Sequence, residues 1–539
     1  MKAISLKNQL SSSLLLGLCM LINLLLSTQV FSQENGIRID FEKDSPYYPQ
    51  KKSKPSPGDV YEAYTPRYAA GIEGRALDLS QDAALRMPIK LHDSLPLPYG
   101  EKQDFTVSFW VKTKEYAKQG TVLAGNKKQV GKEEIGWMVM ATEAGAWALY
   151  ISDGKQEYAY EPSLPRQQIN DGDWHQIGFS ISREEQDLYL FFDGKQMGIY
   201  NIGDLGALRS EWATTFGGTA SNWDYLGQWE AFNGYLDNIS ILPGAASEKV
   251  LSAEYQTYFP SIHQKEVWTG SLRLLSWNIW HGGHRFGKQV GLERVIETIQ
   301  VHQPDIVTLI ETYGSVEEIA DALGYHFYLI SSNLSILSKY PVKKTIKAFR
   351  PFNFGGAIIS LPNGKDIAIM DTWLHYLPDY QKSIVQEKMA VDDLIKEEGE
   401  TRHQEVKDIL SQIQPFLANS QEVPIIMSGD FNVESHLDWT EATKDIHHGY
   451  VVPWPVTMEM ENAGFTDSFR EAYPNPLESP GFTYWPQYRG DGSDYIRPRI
   501  DYIFYKGASL GMVDSQVISQ HPVMFPSDHA AVITEFTYD

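Results

Sequence analysis

Six short polar motifs close or follow apolar runs in the C-terminal half: SWNIW (276–280), IET (310–312), TWLHY (372–376), GDFN (429–432), RIDY (499–502) and SDH (527–529). Each carries an acid, an amide or an imidazole. A polar side chain at the C-terminal end of a buried strand points into an open cleft while the strand anchors it. So many motif-bearing ends call for a sheet-based fold that gathers them at one edge. The runs around the motifs agree. LRLLSWNI (272–279), DIVTLI (305–310), IAIMDTWLHY (367–376) and VPIIMSGD (423–430) read as strands. Between them Leu292, Val295, Ile296 and Ile299, and then Val406, Ile409, Leu410 and Ile413, repeat at helical spacing. The expected architecture from 271 to 539 is α/β, two packed sheets flanked by helices.

Residues 37–258 have a different rhythm. FTVSFWVK (105–112), WALYIS (147–152), HQIGFSIS (175–182) and DLYLFF (187–192) are short β-type runs separated by turn signals such as Asp171-Gly172-Asp173, the pattern of an all-β sandwich. GRALDL (74–79), DGDWHQIGFSI (171–181), LYLFFDGK (188–195) and FNGYLDNISIL (232–242) resemble a laminin-G or concanavalin A-like lectin domain. The resemblance implies a jelly-roll sandwich and, by fold analogy alone, a carbohydrate ligand. Trp110 and Trp174 are expected in its core, and Asp237 at a turn rather than on calcium. A helix-like stretch (245–258) leads to a linker at 259–270.

With 539 residues the chain needs more than one core. Residues 1–32 carry Lys2 and Lys7, an apolar run from Leu14 to Leu26 and a small-residue end at Ser32, the make-up of a signal peptide. Export to a secreted, periplasmic or cell-surface location is the expectation. Cys19, the one cysteine, lies in that run after Leu18, which is not the small residue a lipid-attachment site needs. Cleavage after Ser32 leaves no disulfide, thiol nucleophile or Cys-ligated zinc. No second apolar segment is long enough to cross a bilayer.

The formal charge is −23. From residue 266 onward about 21 basic side chains face about 37 acidic ones, or about −16 for that part. A field of this sign opposes a long polyanion. A nucleic-acid substrate would need a local basic groove, for which Lys339, Lys343, Lys344, Lys347 and Arg350 are the candidates.

The motif residues suit hydrolysis of a phosphate ester, which needs a cation on the non-bridging oxygens, a base for water and donors for the developing charge. Glu311 and Asp528, helped by Asn278, are oxygen ligands for Mg2+, or for Mn2+ or Ca2+. His529 is a candidate base held by Asp501. His375 and Asn432 can donate to the phosphate, and Asp430 can orient the nucleophile or act as base itself. At these residues the chain resembles the endonuclease/exonuclease/phosphatase superfamily. That resemblance implies a four-layer α/β sandwich, divalent-metal dependence and in-line attack by water.

Two departures stand out. Trp280 occupies a place where the abasic-site branch carries an acid. The usual Asn-Thr-His-Leu strand end is stretched, so that His375 is expected to take the phosphate contact by sharing a face with Trp373. Trp280, His436 and Trp454 are candidate substrate contacts. Trp454 lies in YVVPWPVTM (450–458), either a lipid-contacting tip or core packing. His281, His284, His447 and His448 read as loop residues, and 392–400 as a solvated acidic helix. The reading that follows is an exported phosphodiesterase for a non-nucleic substrate, a phospholipid headgroup or glycan ester. The alternatives are an extracellular nuclease and an inactive lectin-like adhesin.

Overall fold

The computed structural model describes residues 36–42, 67–80, 88–91, 97–117, 121–127, 129–162, 166–218, 232–260, 268–487 and 497–538. The signal-peptide reading (1–32) and most of the linker (259–270) fall outside these residues.

Alternation shapes the N-terminal half. Phe105–Lys112, His175–Ser182, Asp187–Phe192, Lys195–Asn201 and Tyr235–Pro243 form one sheet, and Thr121–Gly125, Gly136–Ala141, Trp147–Ser152 and Glu157–Tyr160 belong to the other. Their facing side chains, among them Phe105, Phe179, Trp137 and Phe216, share one core. Trp110 is fully buried and stacks on Tyr255 of the helix Glu248–Tyr258, at 5.6 Å. Trp174, expected beside it in the core, is only half-buried. Asp237 caps a turn: its carboxylate accepts from the Ile72 and Asn238 amides at 2.9 and 2.8 Å.

In the C-terminal half, alternate residues of each strand go to opposite layers, as a strand buried on both faces requires. Leu274, Ile306, Ile310 and Ile336 of one sheet meet Ile367, Ile369, Ile426 and Ile503 of the other. Their neighbours turn outward: Leu275, Val307 and Leu309 toward Leu292, Val295 and Ile299 of Lys288–His302, and Ala368, Met370 and Met427 toward Val406, Ile409 and Leu410 of Arg402–Gln412. Helix, sheet, sheet and helix make the four layers.

The halves do not simply adjoin. Lys195–Asn201 of the sandwich pairs in parallel with His326–Leu329, with Gly198 opposite Phe327 and Tyr200 opposite Leu329, so one sheet, of 14 strands among the described residues, crosses both halves. Asn201 Nδ2 donates to the Ile330 carbonyl (3.1 Å), and buried Asp187 accepts from Thr345 Oγ1 (2.6 Å) and pairs with Lys347. Gly198 makes the close approach possible: a Cβ there would lie 2.2 Å from the Phe327 ring. That ring is itself packed against Tyr160 and Tyr200.

The segment 450–458 turns Val452, Trp454, Val456 and Thr457 inward. Trp454 is fully buried between Tyr380 (4.6 Å) and Trp439 (5.5 Å), which corrects its reading as a substrate or lipid contact. His447, read from sequence as a loop residue, stacks on the other side of Trp439 at 4.2 Å.

Replacing Gly198 with Val should lower stability by about 1–3 kcal/mol through overpacking. An unchanged midpoint of chemical denaturation would contradict the shared-sheet packing. Burial pushes the His447 imidazole down to about 4, below its unfolded value of about 6.5, so the unfolded chain takes up that proton first. The contribution is present above pH 6.5 or so and is lost as pH falls toward about 4. His447→Phe, which keeps the stack, should therefore lose less stability than the native chain in urea titrations between those limits.

Candidate active site

Strand register brings the motif residues together. Asn278 ends Ser271–Asn278, and its parallel neighbour Ile306–Ile310 pairs Ile310 with it, so Glu311 follows directly alongside. Asp430 ends Ile425–Asp430 and is paired with Asp501 on one side and with Trp373 on the other. Asp501 begins its strand, and Asp528 and His529 precede Ala531–Tyr538. The expectation of C-terminal strand ends therefore holds for Asn278, Glu311 and Asp430. The others sit at the starts of antiparallel strands, which brings them to the same edge.

Hydrogen bonds fix the cluster. Asn278 Nδ2 donates to Glu311 Oε1 (3.3 Å) within its own sheet and to Asp430 Oδ2 (3.2 Å) in the other. Its Oδ1 accepts from the Trp280 amide (3.0 Å), and Glu311 Oε2 accepts from the His281 amide (2.9 Å). His529 Nδ1 donates to Asp501 Oδ2 (2.9 Å), leaving Nε2 3.9 Å from Asp430 Oδ2. Asp430 Oδ1 accepts from the Asn432 amide (3.0 Å), and Asn432 Nδ2 donates to the Leu374 carbonyl (2.9 Å). Ser527 Oγ donates to the Asn278 carbonyl (2.7 Å) and accepts from the His529 amide (3.0 Å). Trp280, His281, Glu311, Tyr313 and Asn432 all take positive φ, a strained conformation for side-chain-bearing residues that only dense local bonding maintains.

Burial raises the Asp430 carboxyl well above the usual range, with the Asp501 charge adding to it and His529 opposing. Burial alone would lower His529, but the carboxylates of Asp501 and Asp430 outweigh it and keep the imidazole protonated. Burial, partly offset by His529, and then the nearby Glu311 charge push Asp528 up to about 6. Crowded carboxylates of this kind call for positive charge. Asp528 Oδ1 is buried with no hydrogen-bond partner among the described residues, and with Glu311 it forms a hard-oxygen set suited to a divalent cation. Asp430, Asp501 and His529 also place ligand-type atoms within 4.8 Å of one another. Since His529 Nδ1 is spent on Asp501, this trio works as a hydrogen-bonded relay that aims Nε2 at the Asp430 side of the cleft.

Some expected contacts lie elsewhere. The strand Asp366–Trp373 ends before His375, so the shared-face argument stops short of it. His375 is exposed, stacks on Tyr376 (5.0 Å) and sets Nδ1 against Leu377 (3.2 Å). The register places Trp373 opposite Asp430 instead. His436 spends both ring nitrogens on Thr457 (2.8 Å) and Glu461 (2.9 Å), which makes it a packing residue. Trp280 stays at the lip, half-exposed, with Arg285 5.0 Å from its ring.

Other residues join the site without a motif to announce them. Asn333, fully buried, accepts from the Glu311 amide (3.2 Å) and donates to the Phe352 carbonyl (2.9 Å). Tyr484 lies 5.0 Å from the His529 ring. Glu398, expected on a solvated helix, is fully buried and pairs with Arg402 (3.0 Å). Arg402 in turn donates to the His375 (3.3 Å) and Pro378 (3.1 Å) carbonyls, holding that loop.

If Asp501 and His529 act as a unit, Asp501→Asn and His529→Ala should each lower kcat by about 10²–10⁴-fold on a phosphodiester. The double variant should then fall little further than the worse single one. Losses that multiply would contradict the relay.

Residues 275–529 match the model of the Endonuclease/Exonuclease/phosphatase family, and 88–251 match that of the Concanavalin A-like lectin/glucanases superfamily. The uncharacterized protein F14F9.5 of Caenorhabditis elegans is 30% identical over 297 residues, covering 50% of this chain and 92% of its own. Among solved structures, truncated Caenorhabditis elegans TDP2 aligns at 17% identity and a TM-score of 0.35, covering 50% of this chain and 97% of that one. The human Nocturnin catalytic domain with bound sulfate anion aligns at 15% identity and 0.35, covering 50% and 94%. The first family's span takes in Asn278, Glu311, Asp430, Asp501 and His529. By its C-terminal half the chain belongs to the endonuclease/exonuclease/phosphatase family, a hydrolase domain preceded by a concanavalin A-like one.

Proposed function

We propose that this protein is an exported, divalent-cation-dependent phosphodiesterase whose substrate is a non-nucleic ester, a phosphodiester-linked glycan. Hydrolysis rests on the cluster of Asn278, Glu311, Asp430, Asp501, Asp528 and His529. Glu311 and Asp528 would hold Mg2+, or Mn2+ or Ca2+, whose charge neutralises the non-bridging phosphate oxygens. Asp430, whose burial makes its carboxylate more basic than usual, takes the proton of the attacking water in its ionised form. His529, kept positive by Asp501, donates Nε2–H to the phosphate and opposes its developing charge. Asn432 has one N–H committed to Leu374 and a second left for a phosphate oxygen.

The observation that carries the substrate class is the state of the basic strip. Lys339 pairs with Asp305 (2.9 Å), Lys343 with Asp366 (2.5 Å), Lys344 with Glu185 (3.9 Å), Lys347 with Asp187 and Arg350 with Glu405. Two of these partners belong to the sandwich. Cations already paired have few counterions to release, so a long polyanion gains little there. Burial of Val452, Trp454 and Val456 likewise takes most of the apolar side chains of 450–458 out of reach of a lipid substrate. Export rests on the first 32 residues and agrees with the laminin-G-like domain. Among the described residues no helix is long and apolar enough to cross a membrane.

The test is a screen of residues 33–539 against bis-p-nitrophenyl phosphate, its monoester, plasmid DNA, sphingomyelin, inositol phosphates and phosphomannan, with each cation. Turnover of diesters should fall by at least about 100-fold in Glu311→Ala, and phosphomannan should outperform DNA. DNA as the best substrate would establish the nuclease reading instead. No turnover of any ester would leave the adhesin reading.

A further inference from the structure

A groove of about 780 Å³ runs between the two halves of the chain. The sandwich contributes Gln156, Gln186 and Asn201 to one wall, and the hydrolase half contributes Ser332, Phe349 and Gln412 to the other. The shared sheet ties the walls together, and Asn201 Nδ2 reaches across to the Ile330 carbonyl at 3.1 Å. Ligand sites favour such domain junctions, and pockets of about 300–1,000 Å³ take ligands of several rings.

The lining states the chemistry. Gln156 and Gln186 offer side-chain donors and acceptors, while Asn201 is committed to the Ile330 carbonyl and the Gly203 amide, and Gln412 Oε1 to the Phe349 amide. Glu157, which accepts from the Gly131 amide, and Asp204, which accepts from the Tyr158 hydroxyl, have further acceptor capacity, and the Tyr158 and Phe349 rings line the wall, the latter with Arg350 4.5 Å from its centre. Among the described lining residues the cation is Lys347, and its ammonium is engaged by the buried Asp187 carboxylate and the Glu185 carbonyl. The groove thus has little spare positive charge for an anion. It suits a neutral polyhydroxylated ligand, whose hydroxyls use amides and carboxylates and whose C–H faces lie on rings.

One end of the groove is built from neighbours of cleft residues. Ser332 accepts from the Tyr313 amide (2.8 Å), and the next residue, Asn333, accepts from the Glu311 amide (3.2 Å). Pro351 lines the groove, and its neighbour Phe352 packs 5.7 Å from Trp373, which stands opposite Asp430.

We infer that the groove between the halves is a glycan subsite, holding the neutral sugar portion of a phosphodiester-linked glycan beside the Glu311–Asp430–His529 cleft. The delivery of the phosphate rests on the phosphodiesterase reading above; the sugar site does not. The test uses Glu311→Ala protein, residues 33–539, on an array of neutral oligosaccharides free of phosphate. Binding to members of the array should weaken by at least about tenfold in Gln156→Ala/Gln186→Ala, and equally in Gln186→Trp, which narrows the groove. Both glutamines are exposed, and circular dichroism with thermal melting checks that each variant stays folded.

Absence of binding to every oligosaccharide, or binding that both folded variants leave unchanged, would overturn the sugar site. Bis-p-nitrophenyl phosphate, assayed with the unsubstituted chain, reports the other reading separately. Its hydrolysis supports the phosphodiesterase reading on which the delivery rests. Its failure would overturn the delivery, while the array still decides the sugar site.

Discussion

The site depends on one amide. Asn278 ends a strand of the first sheet, and its Nδ2 donates both to Glu311 beside it and to Asp430 across the intersheet gap. Four carboxylates converge on this edge, and like charges in a buried cleft repel unless hydrogen bonds and cations hold them. Asn278 supplies donors on one side, and the protonated His529, held by Asp501, supplies positive charge on the other. Ser527 and Trp277 then fasten the backbone of Asn278 and His529 within the first sheet, while the Asn278–Asp430 and His529–Asp501 bonds cross to the second.

The sandwich is more than an appended module. Inter-domain interfaces within a chain are usually small and polar enough to permit relative motion. Here a parallel strand pair, the Asp187–Lys347 and Asp187–Thr345 contacts and the Phe327 aromatic cluster join the two halves in one core. At that junction Glu185 and Asp187 of the sandwich pair with Lys344 and Lys347, two of the five cations of the basic strip. The same contact that fixes the groove walls therefore weighs against a nucleic-acid substrate.

Much of this was legible in the sequence because it is local. Period-two alternation found Phe105–Lys112 and His175–Ser182 to the residue, and helical spacing found the stripes on Lys288–His302 and Arg402–Gln412. Ordered motifs picked out Asn278, Glu311, Asp430, Asp501 and His529, which the structure draws into one cluster. What failed was non-local. His375 was placed by alternation, which ends with the strand at Trp373. The sequence leaves Trp454 open between a lipid-contacting tip and core packing, because its partners, Tyr380 and Trp439, come from other segments. Glu398 looked solvated for want of any sign that Arg402 is buried with it. The strand pairing of residues 198–200 with 327–329 links segments far apart in sequence, and no local pattern marks it. Asn333 carries no motif, since a hydrogen bond to a neighbouring backbone leaves no spacing to read.

The central claim is that the carboxylates around Asn278 form a cation-dependent hydrolytic centre. Calorimetric titration of residues 33–539 with Mn2+ tests it most directly, without any choice of substrate. Saturable binding that disappears in both Glu311→Ala and Asp528→Ala, while both variants stay folded, is the predicted result. Binding untouched by either substitution would contradict it.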